Sequence, residues 1–240
     1  MSKPLLLAML SLTLVGAAPA PNPDEIVAKA DEVRNPQLDY TVLVTVTSVK
    51  PSRRDRRARY EVLIKGKEKT LIKTLEPANE RGTSILMLGK DLWAYLPDVS
   101  QPVRMSLQQR LIGEVSIGDI ARANLAGDYG SRLLSQEKGH YLLELLAKTD
   151  DVTYHKVAYS VQTTDFHPAR ANFYAESGKL LKKCDFVDYK QLGGRLRPSR
   201  LIMIDPIVRG QKSIVEYEKF TVGELPDKYF TKDYLKKFKY

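Results

Sequence analysis

From Tyr40 onward the chain alternates apolar and polar residues between closely spaced turn signals, and it does so almost to its end. Tyr40, Val42, Val44 and Val46 interleave with Thr41, Leu43, Thr45 and Thr47, and Tyr60, Val62 and Ile64 interleave with Arg59, Glu61 and Lys65. Side chains along a strand point to opposite faces with a period of two, so each of these sets shares a face. Short strands at regular spacing, joined by turns such as KGK, SGK and LGGR, predict an antiparallel sheet. Counted this way the chain holds roughly eleven strands.

Helical patterning is confined to two places and a short tail. Ile26, Val27, Ala30 and Val33 recur with helical spacing after Pro23, Asp24 and Glu25, so one amphipathic helix precedes the sheet. Its apolar stripe is narrow, and it must lie on another element rather than inside one. The alternation breaks over residues 107–130, where glycines surround a helix-like piece at 116–125 with capping chemistry at Ser116 and Asp119. A break of this length inside a sheet reads as a lid or binding insert. The closing LPDKYFTKDYLKKF reads as a turn plus one helical turn. The expectation is a mainly β chain with few helices, in which residues 21–240 form one domain.

Several strand-like runs, ILML, LLELL and RLIMI, are apolar at consecutive positions. A half-exposed antiparallel strand alternates instead, so both faces of these strands need cover. Two helical pieces cannot cover every outer face. A sheet bent around an apolar hollow, with the helices across its mouth, accounts for the pattern. A close-packed sandwich core accounts for it equally, and the residues alone do not choose. On the first alternative, Trp93 and Tyr95, at i and i+2, are candidates for the wall, together with Val42, Val44, Val46, Tyr60, Val62, Ile64 and Met87. Leu111, Ile112, Ile117 and Ile120 are the candidate lid contacts.

The N-terminal MSKPLLLAMLSLTLVGAAPA combines a basic residue at Lys3, an apolar run and Ala18-Pro19-Ala20. These are the parts of a secretory signal cleaved after residue 20, and the apolar run is too short to span a bilayer. The formal net charge is +9, or +8 once Lys3 is removed. In an exported protein such an excess points to anionic membrane surfaces and acidic partners, not to nucleic acid. The densest basic cluster, Arg53, Arg54, Arg56 and Arg57 around Asp55, falls in a turn and suits a solvated loop.

Catalytic chemistry finds little footing. Cys184 is the one cysteine, which rules out an intramolecular disulfide and a thiolate metal site, and its strand-like setting predicts a buried, inert thiol. His140, His155 and His167 are scattered without metal-ligand spacing, and no nucleophile elbow or phosphate-binding glycine motif occurs. No cofactor is called for, and the expectation is a protein that is not an enzyme.

Over residues 75–128 the chain, through LEPANERGTSILMLGKDLWAYLPDVSQPVRM and RLIGEVSIGDIARANLAGDY, resembles the outer-membrane lipoprotein-sorting (LolA-like) carrier family. YHKVAYSVQTTDFHPARANFYAESGKLLKKCDFVDYKQLGGRLRPSRLIMID and the closing LPDKYFTKDYL carry the resemblance through the second half. It implies a strongly curved, half-open antiparallel β-barrel with a helical lid over an apolar cavity. It also implies a periplasmic carrier of lipid or lipoprotein acyl chains in a Gram-negative envelope, with an inner- or outer-membrane protein partner and peripheral contact with anionic membrane. A lipid-sensing accessory module of an envelope complex and, further off, an envelope hydrolase are the other functions such a chain could serve. The long 107–130 segment and the basic charge depart from the best-known carrier, which puts lipoprotein itself in doubt as the cargo.

Overall fold

The computed structural model describes residues 21–121 and 124–235, so the signal-peptide expectation for residues 1–20 lies outside the described residues. Helix α1 (Pro23–Arg34) starts where Asn22 Oδ1 accepts from the Asp24 N–H at 3.0 Å, with Pro23 in the first turn. It buries Ile26, Val27 and Ala30 as the helical spacing predicts. Six strands follow: β1 (Tyr40–Val49), β2 (Arg56–Lys65), β3 (Lys69–Glu76), β4 (Ser84–Leu88), β5 (Asp91–Tyr95) and β6 (Val103–Met105). The 107–130 segment supplies the hairpin β7 (Arg110–Ile112) and β8 (Val115–Ser116), then α2 (Ile117–Ala121) and α3 (Leu125–Asp128). The sheet resumes with β9 (Tyr129–Glu137), β10 (His140–Ala147), β11 (Lys156–Gln162), β12 (Pro168–Tyr174), β13 (Leu180–Leu192), β14 (Arg195–Ile204) and β15 (Lys212–Val222). A 3-10 turn at Asp227–Phe230 and α4 (Lys232–Leu235) close the described chain.

The two halves hydrogen-bond into one antiparallel sheet of 13 strands, ordered β6-β5-β4-β3-β2-β1-β15-β14-β13-β12-β11-β10-β9. Each half is a meander, and the first strand of the chain's sheet pairs with the last along β1 and β15. β6 and β9 are left as edges, so the sheet is open. The strand count among the described residues is 15, against the eleven expected. Three of the four unforeseen strands, β6 to β8, are only two or three residues long, too short for an alternation to register. The fourth, β9, directly follows α3 and buries only Tyr129, so no apolar alternation marks it in the sequence.

Pairing in register brings Val42 opposite Val62, Tyr40 opposite Ile64 and Val44 opposite Tyr60. These side chains belong to the larger apolar cluster, on the face of the sheet covered by α1, α2 and α3, which we call the inner face. On the outer face a smaller cluster joins Leu63, Leu71 and Leu86 to Phe230 and Leu235 of the C-terminal segment. The double-sided apolarity of β2 to β4 thus has a direct cause: helices cover one side and the chain's own tail covers the other.

The insert lies close over the inner face. Gly113 turns the β7–β8 hairpin at φ +56°, and a Cβ there would collide with the hydroxyls of Ser48 and Ser213. Glycine alone permits both the backbone and the approach. The Ser213 hydroxyl accepts from the Glu114 N–H at 2.8 Å, and the Thr70 hydroxyl donates to the Ala121 carbonyl at 2.8 Å. No helix among the described residues is long and apolar enough to cross a membrane.

Candidate functional site

Between the inner face and its helical cover lies a cavity of about 70 Å³. Its wall takes Val42 and Val44 from β1, Val62 and Ile64 from β2, and Leu201 and Met203 from β14. Phe173, Phe186 and Tyr217 close it from β12, β13 and β15, while Ile120 and Leu125 close it from the insert. β-branched residues at alternate positions hold this surface in a narrow set of rotamers, which is why a smooth apolar wall forms here.

Of the residues singled out in the sequence, Val42, Val44, Val62, Ile64 and Ile120 line this cavity. Val46, Tyr60, Met87, Ile112 and Ile117 are buried in the same apolar cluster without reaching it, and Leu111 packs half-buried against that cluster. Trp93 and Tyr95 require a correction. They do share a face, but it is the outer one, where they pack with Leu71, Leu86 and Leu235. Their strand partners fix this: Ala94 lies opposite Ile85 on the inner side, which sends Trp93, opposite Leu86, outward. The Lys232 ammonium stands 3.3 Å above the Trp93 ring centre.

The cover is held by polar contacts. Asp119, on α2, forms a buried ion pair with Lys182 of β13 at 2.6 Å, each side chain 5% exposed. The same carboxylate accepts from the Tyr154 hydroxyl at 2.7 Å and from the Ser116 N–H at 2.7 Å, while Lys182 also donates to the Glu114 carbonyl. One lysine therefore ties both the β7–β8 hairpin and α2 to the sheet. A second hollow, polar and about 390 Å³, adjoins this latch and shares Ser116, Tyr154 and Lys182 with it. At the other end of the cover, Arg197 donates to the last carbonyls of α1, those of Glu32 at 2.8 Å and Val33 at 2.7 Å. A cation at a helix C-terminus also complements its dipole.

Asp31 joins the two helical covers by accepting from the Ala126 N–H at 2.8 Å. Burial pushes its carboxyl up to about 6, opposed by the Arg34 guanidinium and by backbone N–H groups of α3. Arg34, the last residue of α1, also lines the cavity, and its guanidinium lies 5.9 Å from the Phe186 ring centre. Burial drives the phenols of Tyr154, Tyr159 and Tyr217 well above their ordinary range, so they keep their protons at neutral pH. The Cys184 thiol is pushed up for the same reason, which leaves it protonated and unreactive. None of the three histidines borders the cavity, and among the described residues no group of three or more His, Cys, Asp or Glu could hold a metal ion.

Sequence reasoning missed Arg34 and the aromatic half of the wall. A basic residue in the last turn of a helix reads as a solvated complement to the dipole. Phe173, Phe186 and Tyr217 lie on strands whose inner faces are fixed only by pairing, with β11 for Phe173, with β12 and β14 for Phe186 and with β1 for Tyr217.

A family model described as an uncharacterized-protein-like family matches residues 66–237. Among solved structures, the chain is similar to a LolA superfamily protein from Nitrosomonas europaea, with 44% identity and a TM-score of 0.85 over 90% of this chain and 100% of that one. It shares its fold with a DUF1329 family protein from Desulfovibrio piger, at 21% identity and a TM-score of 0.77, over 88% and 97% of the two chains. It shares it also with an outer membrane lipoprotein-sorting protein domain from Vibrio parahaemolyticus, at 21% identity and a TM-score of 0.76, over 90% and 98%. No curated protein matches.

Proposed function

The chain belongs to the LolA superfamily, and from that premise we propose that it is a non-enzymatic carrier that shields acyl chains of a lipid or lipoprotein in the periplasm. The observation that carries this reading is the apolar cavity between the inner face and a cover held by a few polar contacts. Each methylene moved from water into such a cavity contributes about 0.8 kcal/mol, so ten contribute roughly 8 kcal/mol before the costs of association. The residues 1–20 signal supplies export, and the lipoprotein-sorting relative supports the class of cargo.

The cavity volume bears on mechanism. Pockets for small molecules run to about 300–1,000 Å³, whereas this one measures about 70 Å³. The described state is thus contracted, and loading requires α2 and α3 to move away from β1 and β2. The contacts that must yield include those of Lys182 and Tyr154 with Asp119, of Thr70 with Ala121 and of Asp31 with Ala126. A carrier with its hold concentrated in so few contacts can both seal and release.

Native mass spectrometry of protein taken from its own envelope tests the reading. One lipid mass per chain is the expected result; protein free of lipid that also takes up no acyl amphiphile in vitro would refute it. Raising the salt should weaken attachment to anionic vesicles, because the basic surface acts through screened charge, and leave acyl binding nearly unchanged. Lipid-dependent capture of one stoichiometric envelope protein would instead favour a sensing module.

A further inference from the structure

Three buried polar atoms near the C-terminal turn of α1 have no hydrogen-bond partner among the described residues: Asp31 Oδ1, Arg34 Nε and the Tyr159 hydroxyl. They form one neighbourhood. The Arg34 guanidinium lies 5.9 Å, and the Tyr159 ring 6.3 Å, from the same Phe186 ring. Arg34 and Asp31 are also the two charges that act most strongly on the Tyr159 phenol. Folded proteins pair nearly all their buried polar atoms, because each one left over forfeits its hydration without a bond in return. Of the three residues Arg34 itself lines the cavity, so its guanidinium calls for a polar partner there.

The other charges on the wall are already engaged. Asp119 is paired with Lys182, Asp128 has a partner of its own, and Arg197 donates to the carbonyls of Leu192, Glu32 and Val33. Asp31 gives Oδ2 to Ala126 and bonds nothing through Oδ1, so it does not satisfy Arg34 Nε. What Arg34 lacks is an acceptor, and so does Tyr159, whose phenol keeps its proton. A hydrocarbon tail offers neither. A compact anionic group offers two or more acceptor oxygens, and charge-assisted bonds to guanidinium are among the strongest available.

We propose that the cavity takes a free single-chain amphiphile with a compact anionic head, a carboxylate or phosphate monoester, and binds it head inward, with Arg34 donating to the head and the chain lying along the valines of β1 and β2. This rests on the carrier reading and narrows it. An acyl chain attached to a protein enters methyl first and cannot bring its head to Arg34, so head-inward binding selects free lipid over lipoprotein.

Titration calorimetry of the whole mature protein with dodecanoate, dodecyl phosphate and 1-dodecanol separates the outcomes. The better of the two anions should bind at least about tenfold more tightly than the alcohol, and whichever anion binds more tightly identifies the head. Arg34→Met should erase the preference for anion over alcohol. As a measurement that needs no variant, carboxyl- and methyl-labelled dodecanoate bound to the wild-type protein can be exposed to a soluble paramagnetic agent. The carboxyl signal should be protected and the methyl signal broadened. Equal affinity for anion and alcohol, a preference that survives Arg34→Met, or a protected methyl with a broadened carboxyl each overturn head-inward binding while leaving the carrier intact. Failure of all three amphiphiles to bind overturns this inference, and the carrier reading falls with it only if protein taken from its own envelope also carries no lipid.

Discussion

On the outer face, Leu63, Leu71 and Leu86 are sealed by Phe230 and Leu235 from the chain's own tail, with Trp93 and Tyr95 packed at the margin. On the inner face, Val42, Val44, Val62 and Ile64 meet a cover that touches them across a hollow. Both surfaces are apolar and both are covered, yet their polar groups differ. The outer cover is tied at the surface: Asp227 is 68% exposed beside Lys65 and Lys69. Such pairs contribute little. The inner cover is held by a buried ion pair, each side chain 5% exposed. Breaking an exposed pair costs little and breaking a buried one costs much, so the hold of the inner cover is concentrated where that of the outer cover is spread.

The sharpest way to break this contrast is at Lys182. Lys182→Met leaves the Asp119 carboxylate buried without its cation, and removing one partner of a buried pair costs about 3–5 kcal/mol. Chemical denaturation should show that loss, and the double variant Lys182→Met with Asp119→Asn should recover much of it, since the orphaned charge is then gone. A loss below about 1 kcal/mol in the single variant would mean that the cover is held elsewhere.

How much of this was legible follows from what a period of two can and cannot say. The alternation in β1 and β2 identified which residues share a face, and pairing bears that out for Val42, Val44, Val62 and Ile64. It does not say which face turns inward. Trp93 and Tyr95 were grouped correctly and assigned to the wrong side, because a strand apolar on both faces has no polar side to mark solvent. The deciding contacts come from Phe230 and Leu235, far along the chain. Arg34 was illegible for a related reason: its place at a helix end looks like solvent until β13 packs Phe186 against it.

A smaller effect is expected from Asp31. Its carboxyl titrates at about 6 in the folded protein against 3.8 as a free side chain. Below pH 3.8 both folded and unfolded chains hold the proton. As the pH rises past that value the unfolded chain releases it first, so folding loses stability until the folded group has also ionised, above about pH 6. The full difference amounts to about 3 kcal/mol. Arg34 on the same helix, and Asp128 and the Leu125 and Ala126 N–H groups from α3, bear on the group in opposite senses. Because exposed carboxylates titrate over the same range, the quantity to follow is the stability of Asp31→Asn relative to wild type, measured from pH 4 to pH 7. The variant should gain on the wild type as the pH rises. A constant difference would show that Asp31 is solvated and not part of the inner face's strain.

The smallest effect belongs to the outer face and tests the contrast from its other side. Trp93 is the chain's one tryptophan and is partly exposed, with cations of Lys232 and Arg104 set against its ring. Partly exposed cation–π contacts contribute about 0.5–1 kcal/mol each, so Trp93→Phe, which keeps a ring, should cost no more than about 1 kcal/mol. Acyl amphiphiles should bind that variant as they bind the wild type, and their binding should leave the wild-type tryptophan emission unshifted. The sheet itself lies between Trp93 and the cavity, so a ligand reaches the ring only if the sheet deforms. A marked shift of emission on loading would therefore show the two faces to be coupled, and the tail over Leu71 and Leu86 would then be a second moving part and not a fixed seal.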